Sequence, residues 1–151
     1  MSTRESPQDR MMTRDRFSAH LGLVVTLAEP GRAVVQMTIR DDMLNGFDIA
    51  HGGVVFSLAD TAFALACNED ERVTVAAGAD VSFLRPSVEG QLLTATAARR
   101  SMNGRSGIYD VTVSDEQGRV VAEFRGRSRT TTFDAPSASK GEGNSESQME
   151  D

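Results

Sequence analysis

Between His51 and Cys67 the chain reads HGGVVFSLADTAFALAC, and Asp60 is its only formally charged residue. The segment is the one long helical candidate of the sequence, about 25 Å if helical throughout. Its apolar residues lie all the way round, so the helix should be buried on nearly every side. Ser57, Asp60 and Thr61 stand at i, i+3 and i+4 and share a face with Gly53 and Ala64. A carboxylate placed there is costly unless it is paired or hydrogen-bonded, and desolvation pushes its proton affinity up. Two readings fit. Asp60 is a structural acid capping a loop or pairing with an arginine across a subunit interface, or it is a general base or nucleophile in a partly dry pocket.

The start of the helix offers a second component. His51-Gly52-Gly53 presents backbone N–H groups at the positive end of the helix dipole with no side chain in the way. Such donors can hold a carbonyl oxygen and the negative charge that develops on it. The same two glycines would also let the chain turn tightly into the helix. Gly52 and Asp60 are eight residues apart, about 12 Å along the axis, too far for one carbon atom to contact both. If both serve one reaction, Gly52 of one subunit meets Asp60 of a neighbour, and two helices antiparallel across a two-fold axis make two such sites.

The elements that must position this helix are strands. Met11 to Leu21 reads as a short helix, with Met12, Phe17 and Leu21 on one face. Leu23–Glu29 and Arg32–Arg40 read as strands around the turn Glu29-Pro30-Gly31, and Asp41–Ala50 is a loop with Asn45-Gly46 as its turn. After the helix come four more runs, Val73–Leu84, Gln91–Arg100, Gly107–Ser114 and Arg119–Phe133, punctuated by Pro86, Glu89-Gly90, Asn103-Gly104 and Gln117-Gly118. Short connections predict an antiparallel sheet. The fold class is α+β: a curved antiparallel sheet of five or six strands wrapped around one long central helix. One sheet cannot enclose such a helix completely, so a second copy should close the open side.

The chain has 151 residues, enough for one domain over 11–133, with residues 1–10 and 134–151 expected to be disordered. A net charge of −6 argues against general affinity for nucleic acid. No apolar run approaches the roughly 20 residues of a membrane span, and the N-terminus has no secretory pattern. The single cysteine, Cys67, agrees with a reducing cytoplasm, the expected location.

The stretch Asn45 to Asn68, NGFDIAHGGVVFSLADTAFALACN, resembles the hotdog-fold thioesterases of the phenylacetic-acid-degradation type. It carries that family's Asn-x5-His-Gly-Gly-x3-Ser-Leu-Ala-Asp-Thr-Ala-Phe pattern without departure. Further similarity lies in Phe83-Leu84-Arg85-Pro86, Gly104-Arg105 and Phe124-Arg125-Gly126, so that it spans roughly residues 12 to 132. The resemblance implies dimers that share a continuous sheet, commonly paired into a dimer of dimers. The implied activity is hydrolysis of phenylacetyl-CoA or its ring-hydroxylated relatives, with no cofactor and no metal, coenzyme A being part of the substrate. It makes Asp60 the general base or nucleophile and Gly52 the N–H donor to the thioester oxygen. Asn45 orients substrate or water, His51 supports the Asn45 loop or the carbonyl end of the site, and Thr61 positions the carboxylate or water.

Residues expected to touch substrate are Gly53, Phe47, Arg85, Asn103, Gly104 and Arg105, although a hairpin turn explains Asn103-Gly104 equally well. Arg125, Arg127 and Arg129 alternate onto one strand face, which is read as a solvated outer face rather than a phosphate site. His20 is read as solvated and Cys67 as a small core residue. Two other readings compete with the hydrolase. One is a non-catalytic acyl-CoA sensor on the same fold, for which no regulatory segment is visible. The other is a hydratase, which would place its Asp/His pair differently.

Overall fold

A computed structural model describes residues 5–135. Its elements are α1 (Pro7–Arg14), α2 (Arg16–His20), β1 (Val24–Glu29), β2 (Arg32–Thr38), α3 (Gly52–Cys67), β3 (Arg72–Phe83), β4 (Leu92–Asn103), β5 (Ser106–Ser114) and β6 (Val120–Asp134). All six strands form one antiparallel sheet in the order β1-β2-β4-β5-β6-β3. The strand after the long helix therefore joins the far edge beside β6, not β2. The extra residues of bulges near Leu27, Val73, Ala77 and Arg100 bend the strands, so the sheet curls around α3.

Period-2 alternation drives this packing. On β5, Tyr109, Val111 and Val113 face inward and are fully buried, as are Val35 and Met37 of β2 and Leu93, Ala95 and Ala97 of β4. The helix lays Leu58, Ala59, Ala62, Phe63, Leu65 and Ala66 against them. Small residues set the distance between the layers. Gly126 is one of them: an added Cβ would come 2.7 Å from the Phe63 ring, which itself packs between Tyr109 and Phe124 at centroid distances of 5.5 and 5.8 Å.

The helix is not covered all round. Gly53 is exposed, and Ser57, Asp60 and Ala64 are only partly buried, so the polar face read from the sequence is the side the sheet leaves open. β3 lies next to it as an edge strand.

The N-terminal arm departs from the expected single helix over 11–21 and, over residues 5–10, from the expected disorder. Helix α1 begins at Pro7, because Ser6 and Asp9 form a reciprocal capping box and proline suits the first helical position. Gln8 then anchors it by donating to the carbonyl oxygens of Leu65 (3.0 Å) and Glu29 (3.3 Å). The helix breaks at Asp15, whose carboxylate caps α2 by accepting from the Ser18 N–H at 2.9 Å. Leu21 is buried as expected, but Phe17 is 59% exposed. At the other end β6 runs through Asp134; the rest of the expected N-terminal and C-terminal disorder, residues 1–4 and 136–151, lies outside the described residues. Among the described residues no helix is long and apolar enough to cross a membrane.

Candidate active site

Asp60 opens into a cavity of about 480 Å³ between α3, the N-terminal arm and the first half of β3. Its walls include Met11, Phe63, Ala64 and the Val73–Ala76 backbone run. No arginine or lysine forms a salt bridge with Asp60 among the described residues, and what acts on its carboxylate is unfavourable to charge. Burial raises its pKa first, and the negative charge of Asp15 raises it further. Among the described residues of one protomer Asp60 caps no loop and has no cationic partner.

The helix N-terminus lies in a different cavity, about 430 Å³, lined by Asn45, Ala50, Gly52, Phe83, Leu84, Arg85 and Ser87 among others. Here the donors sort themselves. His51 is the N-cap, and its Nδ1 accepts from the Gly53 N–H at 2.9 Å. That ring nitrogen is therefore unprotonated, and the imidazole proton sits on Nε2. The Gly53 N–H is therefore already engaged by the cap. The Gly52 N–H, one of the four that a helix start leaves without an intrahelical acceptor, makes no hydrogen bond among the described residues. Of the two bare donors read from the sequence, one is free.

Asn45 holds its own loop. Its Oδ1 accepts from the Phe47 N–H at 2.8 Å and its carbonyl oxygen from the Asp48 N–H at 3.1 Å, which leaves the side-chain NH2 without an acceptor among the described residues, in a residue that lines the same cavity as Gly52. Arg85 lines the same cavity and forms no salt bridge among the described residues.

Other expected site residues are elsewhere. Phe47 is 86% exposed and lines neither cavity, because the tight turn over Asn45 points it outward. Asn103, Gly104 and Arg105 form the β4–β5 hairpin turn, with Gly104 at φ +59°. Asn103 borders a third cavity on the outer sheet face with Ser106, Arg127 and Arg129, apart from Asp60 and Gly52. The arginines of β6 are engaged there: Arg125 with Asp110 at 2.7 Å, Arg127 with Asp80 at 2.9 Å and Arg129 with Ser106 at 3.0 Å. Thr61, expected to position the carboxylate or water, is 8% exposed, and its hydroxyl lies 3.0 Å from Ser18 Oγ. Cys67 borders the Asp60 cavity, but burial pushes its thiol up to about 12, so it stays protonated and unreactive at neutral pH.

Sequence reasoning missed Asp15 and Ser18. The usable signal was an aspartate followed three residues later by serine inside a supposed helix, where aspartate is a poor interior residue and a good N-cap.

A curved sheet around a helix with an acid on its open face and a free N–H at its tip defines a hotdog thioesterase, and the chain belongs to the Thioesterase superfamily, whose family model matches residues 47–122. The particular relatives are consistent with one another. The acyl-coenzyme A thioesterase PaaI of Escherichia coli is 44% identical over 118 residues, covering 78% of this chain and 84% of that protein. The solved structure of the E. coli PaaI protein from the phenylacetic acid degradation operon has a TM-score of 0.82 at 41% identity, over 85% of this chain and 93% of that one. A mutant of the phenylacetic acid degradation protein PaaI from Thermus thermophilus has a TM-score of 0.73 at 38% identity, over 76% and 98%.

Proposed function

We propose that the protein hydrolyses acyl-coenzyme A thioesters, with aryl-acyl groups such as phenylacetyl or hydroxyphenylacetyl as substrates, at sites shared between two copies of the chain. One observation carries this reading: the half-buried acid, midway along α3, and the free N–H at its start lie in separate cavities of one protomer. Each is half of a hydrolytic site.

The topology supplies a way to join them. Helix α3 runs along β3 with Gly52 beside Phe83, whose ring would sit 3.2 Å from a Cβ there, and with Asp60 and Ala64 beside Val73–Ala76. β3 is an edge strand, and from Val73 to Phe83 its one charge is Asp80. Such an edge is a pairing template. Two β3 strands paired antiparallel about Ala79, midway between Val75 and Phe83, would set the Gly52 end of each helix against the middle of the other, where Asp60 stands. A two-fold axis then makes two equal sites and one continuous sheet.

In each site the Gly52 N–H and the helix dipole would hold the thioester oxygen, with Asn45 and Arg85 on the same side of the substrate. Asp60 of the other copy takes a proton from water as the water adds to the thioester carbon, or itself adds to that carbon to give a mixed anhydride that water clears. Either way the carbon–sulfur bond breaks, the thiol of coenzyme A leaves with a proton, and a carboxylate remains. No step needs a cofactor. Stacking of two such dimers into a tetramer fits the same reading.

A thiol-release panel of phenylacetyl-, benzoyl- and straight-chain acyl-CoA esters tests it. Release of one thiol per ester, fastest with the arylacetyl compound, is expected. Tight binding of the esters without thiol release would replace the hydrolase by a sensor.

A further inference from the structure

A bound thioester has two branches to place, an apolar acyl group and the polar, phosphate-bearing coenzyme. The cavity beside Asp60 suits the first. Past Asp60 it is walled by Phe63, Ala64 and Cys67 of α3 and by Val73 and Val75 of β3. Its volume of about 480 Å³ exceeds the roughly 150 Å³ in which an apolar protein cavity holds a benzene ring. The charged residues that border it, Arg10, Arg14, Asp15 and Asp70, are of both signs, and Arg10 is paired with Glu71. They therefore present no single-sign field to draw in phosphates. The remaining wall is the N-terminal arm. Pro7, Met11 and Arg14 stand at i, i+4 and i+7 of α1, and the face they share borders the cavity. The arm is fastened there by Gln8, which is 5% exposed and donates to the Leu65 and Glu29 carbonyl oxygens.

We propose that Met11 is a specificity-determining residue: the acyl group enters the Asp60 cavity, and the Met11 side chain, closing that cavity on the arm side, limits the length of acyl group the site hydrolyses. This rests on the reading of the protein as a thioester hydrolase given above. Of the arm residues in the wall only Pro7 and Met11 are apolar, and Met11 is the longer. The other apolar walls are fixed. Phe63 is held between Tyr109 and Phe124, and Val73 and Val75 are branched at Cβ and stiff. An unbranched thioether turns about three bonds and shapes itself to what lies against it. Shortening or enlarging this one side chain therefore changes the room for substrate and leaves the sheet and α3 as they are.

The test is kcat/KM for thiol release from acetyl-, phenylacetyl- and 4-phenylbutanoyl-CoA in Met11→Ala and Met11→Trp, beside the parent and Met12→Ala. Met12 is the matched comparison: both methionines pack against the core from α1, but Met11 lines the cavity and Met12 does not. One methylene in an apolar pocket changes discrimination by about tenfold or more. In Met11→Ala the 4-phenylbutanoyl to phenylacetyl ratio should accordingly rise by at least about tenfold. Met11→Trp fills the same space, and its phenylacetyl to acetyl ratio should fall by a similar factor. Met12→Ala should keep both ratios at the parent's values, whatever it costs in melting temperature. Parental ratios in both Met11 variants, or an equal change in Met12→Ala, overturn the proposal. The two levels separate cleanly. A parent that releases no thiol from any of the three esters removes the hydrolase reading, whereas an active parent with unmoved ratios in the Met11 variants removes only the role of Met11.

Discussion

Asp60→Asn is expected to lose turnover by on the order of 10²–10⁴-fold, the usual worth of a positioned general base, while keeping substrate affinity. The amide is close in size to the acid and can neither take a proton from water nor attack the acyl carbon. The same substitution should not weaken the fold at neutral pH. Burial and Asp15 raise the pKa of Asp60 in the folded state. Between the ordinary carboxylate range and that raised value, the folded protein holds more protons than the unfolded chain, so stability declines as pH rises through this window and stays lower above it. Asparagine has no proton to lose and escapes this cost. Denaturant unfolding should therefore show the variant at least as stable as the parent at pH 7, with the advantage fading below the ordinary aspartate pKa. A variant that is inactive because it is unfolded would contradict the account, as would one that turns over within a few-fold of the parent.

Gly52→Pro addresses the other half-site and should cost about 10²–10³-fold in kcat, the range measured when one oxyanion donor is removed. The substitution is specific to the donor. Gly52 is the first helical residue, where proline is well accommodated, and His51 has ψ 134°, the extended conformation proline favours before it. Only the N–H disappears, together with some space: a Cβ at this position meets the Phe83 ring at 3.2 Å. Gly52→Ala is the matched control, since it adds that Cβ but keeps the N–H, and it should retain most of the turnover. Equal losses in the two variants would assign the effect to crowding against Phe83 and remove the donor role.

Much of this was readable from residues alone, for reasons that differ by element. The long helix and the outward alternation of Arg125, Arg127 and Arg129 came from local periodicity, which survives folding because each side chain keeps its face. The acid on a greasy helix was visible for the same reason. The place of β3 was not. Its partner β6 begins some 37 residues after β3 ends, and nothing in an edge strand names the strand it will join. The break at Asp15 was hidden because two short helices share one apolar rhythm, and only the capping chemistry separates them. The fate of individual protons lay deeper still. That His51 takes the Gly53 N–H, or that Thr61 turns inward to Ser18, depends on side-chain rotation, which spacing along the chain does not encode. Of the residues named from sequence, Asn45, Gly52 and Arg85 line one cavity, Phe47 is exposed, and Asn103 borders a cavity on the outer face.

The joining of two half-sites across a dimer is tested most directly by mixing. Asp60→Asn and Gly52→Pro are each nearly inactive alone; co-refolded in equal amounts, half of the dimers would be mixed. In a mixed dimer one site pairs the intact Gly52 of one copy with the intact Asp60 of the other, and the second site carries both lesions. Thiol release should then recover to about a quarter of the parent rate, as two-fold symmetry with random pairing requires. If Gly52 and Asp60 of the same copy served one site, every site would carry a lesion and mixing would restore nothing.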